Sequence, residues 1–389
     1  MNKKAKTPNT KNSDNLAFTP KLRFPEFQDT DGWEKRSLGL VCQMQAGKFV
    51  SASEIQEYHA KGLYPCYGGN GLRGYTSTFT HSGKYSLIGR QGALCGNVRI
   101  GVDQFHATEH AVVVTPENGV NGDWLFYVLD FLNLNRFATG QAQPGLSVDV
   151  LEKLPIAIPN QELEQRKISE CFCSVDELIA ADMRKLDALK AQKKGLTQQL
   201  FPREGEPQPR LRFLGLREQW VETPLDNLCS SISSGRDQME TDGTFDLYGS
   251  TSVIGKTRNP SFSGERILVA RVGANAGLLT KASGQYGVTD NTLVVSPHPS
   301  INIDYLFHYL ATININRLIF GSGQPLITGS ILKNLRVLLP SDSEQAKISA
   351  CLSSLDQLIN YQSSKIQALN THKKGLMQQL FPSPLEVEA

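Results

Sequence analysis

The chain reads as an α+β protein made by tandem duplication: a mixed α/β domain and a long helix, then the same pair again, the two helices pairing as an antiparallel coiled coil. Three observations predict this. Motifs recur at a spacing of about 180 to 190 residues along the chain. Each copy closes on a helical seam sustained over more than four heptads. Short apolar runs between glycine-rich turns fill the remainder.

The duplication is visible from end to end. Pro20-Lys21-Leu22-Arg23-Phe24 returns as Pro209-Arg210-Leu211-Arg212-Phe213, and Trp33 with Leu38 returns as Trp220 with Leu225. Tyr67-Gly68 and Gly74 correspond to Tyr248-Gly249 and Gly255. Gly89-Arg90-Gln91-Gly92 with Gly96 matches Ala270-Arg271-Val272-Gly273 with Gly277, and Gln143-Pro144 matches Gln324-Pro325. The strongest pair is Glu164-Gln165-x-Lys167-Ile168-Ser169 against Glu344-Gln345-x-Lys347-Ile348-Ser349. Lys193-Lys194-Gly195-Leu196 and Lys373-Lys374-Gly375-Leu376 follow, and both copies finish on Gln-Gln-Leu-Phe-Pro.

In the closing segment of copy one, apolar residues fall at alternating steps of four and three: Ile168, Phe172, Val175, Ile179, Leu186, Leu189, Leu196, Leu200. Copy two runs Ile348, Leu352, Leu355, Ile359, Ile366, Leu369, Leu376, Leu380. Both seams are interrupted at matched points, Asp182 with Gln362 and Lys193 with Lys373, the kind of polar position that fixes register. A helix of about 39 residues spans roughly 58 Å. An antiparallel pair inside the chain would place the globular domains at opposite ends; the alternatives are an intermolecular coiled coil, or a seam that packs on its own domain.

The globular parts carry runs such as Tyr85–Ile88, Ala111–Val114, Arg266–Val269 and Leu293–Val295, which suit short strands. One helix per copy is expected at Trp124–Asn135 and Tyr305–Asn316. The expected divisions are a solvated, disordered tail at 1–20, a first domain at 21–160, helix one at 161–201, a proline-rich linker at 202–209, a second domain at 210–340 and helix two at 341–382.

Composition restricts the function classes. Hydrophobic residues at 40% and charged residues at 20% are those of a globular protein. No run reaches the ~20 apolar residues that cross a bilayer, and the basic start (Lys3, Lys4, Lys6, Lys11) is not followed by an apolar signal segment. Seven scattered cysteines without a CxxC pair suit reduced thiols in a cytoplasmic protein. Net charge is only +2, with 12 basic and 13 acidic residues in 21–160 and 12 and 10 in 210–340. A nucleic-acid partner would therefore require the cations to gather on one face.

Motifs for catalysis or cofactors fail in context. Gly69-Asn70-Gly71-Leu72-Arg73-Gly74 fits GxGxxG, yet no helix follows to hold a pyrophosphate and copy two lacks it. Gly255-Lys256-Thr257 resembles the end of a Walker A loop, but Gly249 stands one residue too far upstream. His106 and His110 do not form HExxH, and copy two has Gly287 and Asn291 there. No catalytic centre and no metal set is expected in this chain.

Two divergent globular domains, each followed by a helix that starts Glu-Gln-x-Lys-Ile and ends Lys-Lys-Gly-Leu-x-Gln-Gln-Leu-Phe-Pro, resemble the specificity (S) subunit of type I restriction–modification systems. The Leu-Arg-Phe openings and the Gln-Pro segments fit the same family, and the likeness runs from about residue 20 to 382. It implies that each domain is a target recognition domain reading one half of a bipartite, asymmetric double-stranded DNA site, with the helices setting the unread spacer. It further implies that two modification subunits dock on the chain and methylate adenine from S-adenosylmethionine, and that restriction subunits add ATP- and Mg-dependent translocation and cleavage. On that reading the chain holds no cofactor of its own.

Polar and basic residues on glycine-flexed loops are the candidate DNA contacts, because glycine lets backbone approach a ligand and loops carry function. In copy one they are Asn70, Arg73, Arg90, Gln91, Thr108, Glu109 and Gln143. In copy two they are Ser250, Thr251, Ser252, Lys256, Arg258, Arg271, Asn275, Asp290, Asn291 and Gln324. Arginine matches guanine and Asn or Gln matches adenine. Arg90 and Arg271 stand at equivalent places in domains that should read different sequences, which favours a phosphate role for both. The alternative function is a scaffold without DNA, whose helices hold partner proteins.

Overall fold

The computed structural model describes residues 18–92, 94–140, 144–318, 326–383 and 387. The expected tail, up to residue 17, lies outside them, as do Gln143 and Gln324. Chain order in the first copy is β1 (Glu34–Ser37), β2 (Cys42–Ala46), β3 (Tyr64–Gly68), β4 (Gly71–Thr76), β5 (His81–Ser82), β6 (Tyr85–Gly89), β7 (Val98–Gly101), β8 (Gln104–Ala107), β9 (Ala111–Pro116), α1 (Gly122–Phe131), α2 (Val148–Glu152), β10 (Pro155–Ile158) and α3 (Glu162–Leu200). The second copy repeats it with β11 (Val221–Pro224), β12 (Cys229–Ser234), β13 (Phe245–Tyr248), β14 (Val253–Thr257), β15 (Phe262–Ser263), β16 (Arg266–Ala270), β17 (Leu279–Ala282), β18 (Gln285–Val288), β19 (Thr292–Pro297), α4 (Ile303–Thr312), α5 (Gly329–Lys333), β20 (Arg336–Leu339) and α6 (Asp342–Leu380).

These elements form two compact units that cut across the sequence repeats. Unit 1 holds the described residues up to Ala181 and those from Ile366 onward; unit 2 is Asp182–Lys365. Each unit therefore combines one globular domain, the start of its own helix and the end of the helix from the other copy. Among the described residues no helix is long and apolar enough to cross a membrane.

Within unit 1 the sheet order is β2-β9-β6-β7, stacked against a second sheet, β4-β3-β8-β5. Side chains alternate across a strand, so Val112 and Val114 of β9 face the main core with Ile88 and Trp124, while Ala111 and Val113 face Leu87 and Phe105 between the sheets. This is why Ala111–Val114 reads as a continuous apolar run: both faces of the strand are buried. Unit 2 repeats the pattern, with Val295 beside Ile267 and Tyr305, and Val294 beside Leu268 and Tyr286. Helices α1 and α4 end at Phe131 and Thr312, earlier than the spacing predicts. In copy one Asn133 adopts φ 50°, outside the helical region, and the chain continues as a 3-10 turn, Leu134–Phe137.

The paired motifs turn out to be one device built twice. Glu164 is 1% exposed, and Arg23 donates to both its oxygens from Nε and Nη2 at 2.7 Å each. Trp33 Nε1 adds a third bond at 3.1 Å. In unit 2, Glu344 takes Arg212 at 2.9 and 2.6 Å and Trp220 Nε1 at 3.0 Å. The adjoining glutamines bind backbone: Gln165 Oε1 accepts from Asn121 N–H (2.8 Å), and Gln345 Oε1 from Asn302 N–H (3.2 Å). Asn121 and Asn302 are themselves the N-caps of α1 and α4, accepting from Trp124 and Tyr305 N–H.

The helix seam divides its work. Ile168 and Phe172 join the core of unit 1, while Leu200 and Phe201 join that of unit 2. Phe381 completes unit 1 in return, stacked on Phe172 at 5.6 Å and edge-on to Trp33 at 6.3 Å. Leu22 N–H donates to Gln379 O and Leu211 N–H to Gln199 O, both at 2.9 Å, so each Leu-Arg-Phe opening meets the end of the other copy's helix.

In both units the helices run antiparallel. In unit 1 Lys373 Nζ bonds Asp176 at 2.8 Å. In unit 2 Gln362 Nε2 donates to Asp182 Oδ1 (2.7 Å) and Lys193 Nζ to Asp356 Oδ1 (2.5 Å). The Lys365 ammonium and the Gln362 amide hold the Asp182 carboxyl below its usual range. All four polar seam positions thus find partners on the opposite helix. Tyr127 bonds Asp176 at 2.8 Å in unit 1. At the matching place in unit 2, His308 lies 3.4 Å from Ser353 Oγ and 3.8 Å from Asp356.

Two predictions follow from these contacts. Removing one partner of a buried ion pair leaves the other uncompensated, so Glu164→Ala should destabilise unit 1 by about 3–5 kcal/mol in denaturant unfolding. Glu164→Ala together with Arg23→Leu should recover much of that loss, and a single-variant cost under about 1 kcal/mol would mean the network carries no stability. His308 concerns pH. Burial, the largest cause, pushes its pKa down to about 4. The unfolded chain therefore binds a proton more readily between about pH 6.5 and 4, and stability is lost as pH falls through that window. The difference, about 3 kcal/mol at ~1.4 per pKa unit, should vanish from the pH dependence of a His308→Leu variant. Parallel curves for the two proteins would contradict a buried neutral imidazole.

Candidate nucleic-acid interface

The candidate residues come together because strands on either side of β9 deliver their ends to one edge. In unit 1 the β3–β4 turn, the loop after β6 and the β8–β9 turn interlock. Thr108 N–H donates to Tyr67 O (2.8 Å) and Arg90 N–H to His110 O (2.9 Å). A Cβ on Gly89 would fall 2.1 Å from Gly69 O, so this contact admits only glycine. Arg90 O accepts from Leu146 N–H at 2.9 Å, which ties in the segment that follows Pro144.

On this framework Asn70, Arg73 and Gln91 are exposed, and Arg90 and Glu109 are half-buried. Glu109 Oε1 lies 3.2 Å from His110 Nε2, and its Oε2 is buried without a partner among the described residues. Thr108 is 0% exposed, so it shapes the turn from below rather than presenting its hydroxyl at the surface. His110 N–H donates to that hydroxyl at 3.4 Å.

Unit 2 repeats the arrangement with other side chains. Thr289 N–H donates to Tyr248 O (3.0 Å) and Arg271 N–H to Asn291 O (2.9 Å), with Ile327 N–H on Arg271 O. Ser250 Oγ donates to Asn291 O at 3.2 Å. Arg271 reaches Asp290 O through Nη1 at 3.4 Å, and its Nε is buried with no partner among the described residues. Thr251, Ser252, Asn275, Asp290 and Asn291 are exposed around it.

Two candidates stand apart from this cluster. Lys256 pairs with Asp246 at 2.6 Å, and Arg258 pairs with Asp242 while its N–H donates to Glu240 (2.6 Å). Their charge is matched within their own sheet edge, which spacing alone does not reveal. Gln143 and Gln324 lie outside the described residues. Lys48, Arg136, Arg236 and Arg317 flank the same loops and are not among the candidates that glycine-flexed loops suggest. The signal was present in Gly47-Lys48 against Gly235-Arg236, and in Asn135-Arg136 against Asn316-Arg317.

Among the described residues no three His, Cys, Asp or Glu side chains cluster as metal ligands. Burial pushes the thiols of Cys42 and Cys229 up to about 12, so neither is a thiolate at neutral pH.

Residues 30–191 and 219–371 match the type I restriction modification DNA specificity domain. The EcoprrI type I restriction enzyme specificity subunit of Escherichia coli is 48% identical over 130 residues, 33% of this chain and 32% of that one. The chain thus matches about a third of the length of that relative. A putative type I specificity subunit of Mycoplasma pneumoniae is 23% identical over 331 residues, covering 81% of this chain and 87% of its own. The crystal structure of a type I restriction–modification S subunit from M. genitalium superposes with a TM-score of 0.71 at 18% identity, over 94% of this chain and 99% of that one. This likeness shows the shared fold. With both copies matched across their globular domains and helices, the chain belongs to the type I restriction modification DNA specificity domain family.

Proposed function

We propose that the chain is the DNA-reading subunit of a type I restriction–modification complex, each module reading one half of a bipartite, asymmetric site. The observation that carries this is one loop framework dressed with different side chains. Gln91 stands where copy two has Val272, Asn70 where it has Thr251, and His110 where it has Asn291. Base edges are told apart by donor and acceptor pattern, so equivalent loops with unlike polar groups suit unlike half-sites.

On this reading the chain has no catalytic step of its own. Two modification subunits bind it and methylate adenine from S-adenosylmethionine; restriction and translocase subunits supply the ATP- and Mg-dependent chemistry, in the cytoplasm. The paired helices set the unread spacer between half-sites.

Exchange of residues 210–340 for the equivalent domain of a related specificity subunit tests the proposal. Methylome sequencing of the host should then show one half-site replaced and the other unchanged. Alteration of both halves, or of neither, would reject two independent readers.

A further inference from the structure

Resting on the DNA-binding reading above, the strand order also indicates which part of the DNA each loop edge meets. In unit 1, β2 and β6 both run antiparallel to β9, one on each side, so both end where β9 begins: Ala46 pairs with Val112 and Gly89 with Ala111. Lys48 leaves one of those ends and Arg90 the other. Two strand spacings separate the ends, about 10 Å. In unit 2, β12 and β16 flank β19 in the same way, Ser234 opposite Leu293 and Ala270 opposite Thr292. Arg236 and Arg271 leave those ends.

The backbone before the first cation is held by a close approach. A Cβ on Gly47 would lie 2.6 Å from Thr108 O, and one on Gly235 would lie 2.7 Å from Thr289 O. Glycine therefore brings Lys48 and Arg236 against the turns that precede β9 and β19. A third cation adjoins the loop on the other side. Asn135 Nδ2 donates to Cys95 O (2.7 Å) and Asn316 Nδ2 to Ala276 O (2.8 Å). These bonds pin the 3-10 turns Leu134–Phe137 and Ile315–Leu318 to the loops that follow Arg90 and Arg271, and the next residues are Arg136 and Arg317.

Lys256, Arg258, Lys281 and Lys333 each face a carboxylate. Lys48, Arg90, Arg236, Arg271 and Arg317 have no carboxylate partner among the described residues. All three positions are basic in both modules, whereas the polar residues between them differ. Two domains that read unlike sequences meet unlike base edges but the same phosphate backbone.

We propose that Lys48, Arg90 and Arg136 in one module, and Arg236, Arg271 and Arg317 in the other, form a shared three-point clamp for DNA phosphates. The roughly 10 Å between strand ends matches the axial rise of about three nucleotides on one DNA strand. The clamp seats each module in the same way and leaves sequence readout to the side chains between its points.

The test uses the full chain with its modification subunits, its methylated target sequence and a random duplex, titrated from low to high salt. Lys48→Gln, Arg236→Gln and Arg317→Gln should each weaken both duplexes by the same factor. Each should also reduce the slope of log affinity against log salt by about 0.9, with the methylated site unchanged. Lys48→Arg should retain the wild-type slope. An unchanged slope, or relaxation of the target at a single base pair, would overturn the clamp. If the wild-type protein does not distinguish its target from the random duplex, the DNA-reading function itself falls.

Discussion

Everything else in each unit hangs on a carboxylate buried in the first turn of a long helix. Glu164 and Glu344 are 1% exposed, a position that an acid tolerates only with its lone pairs filled. An arginine from the start of the copy fills two, and a tryptophan from the first strand region supplies another donor. The neighbouring glutamine then reaches the N-cap of α1 or α4. Four separate stretches of chain are thus set to one point, and the direction in which the helix leaves its domain is set with them. An arrangement this interdependent leaves little room for drift, which accounts for the same residues standing in both copies.

The helices then do more than connect. Their polar interruptions pair with one another or with acids across the interface, so slippage by one heptad would strand Asp182 or Lys193 without a partner. Their ends are apolar for a different reason. Phe381 and Phe201 fill cores built from the other copy's domain, and loss of such a ring leaves a cavity worth about 3–5 kcal/mol. Neither sequence repeat is therefore a closed hydrophobic unit, since each compact unit draws on both.

The loop edge shows how one scaffold can carry two different sets of exposed side chains. Backbone hydrogen bonds between three loops are the same in both units, and none depends on the identity of the exposed side chains. The exposed residues can therefore change without disturbing the framework. The near-zero net charge does not preclude local clusters of cations: Lys256 and Arg258 are matched by acids, while Lys48, Arg90, Arg236, Arg271 and Arg317 have no carboxylate partner among the described residues.

The sequence by itself determined the duplication, the two long helices, their polar register points and the buried strands, because helical and strand periodicities and repeated motifs are local patterns. It also marked Arg90 and Arg271 by their equivalence. It could not determine the meaning of Leu-Arg-Phe, Trp and Glu-Gln, which meet only after more than a hundred residues of intervening chain have folded. It placed Lys256 and Arg258 among the DNA contacts, although each spends its charge on an acid some ten to twenty residues away in sequence. It passed over Lys48 and Arg236, whose place at the loop edge follows from strand order rather than spacing. Which cations remain unmatched, and which loops share an edge, are properties of pairing between distant strands, and only the tertiary structure decides them.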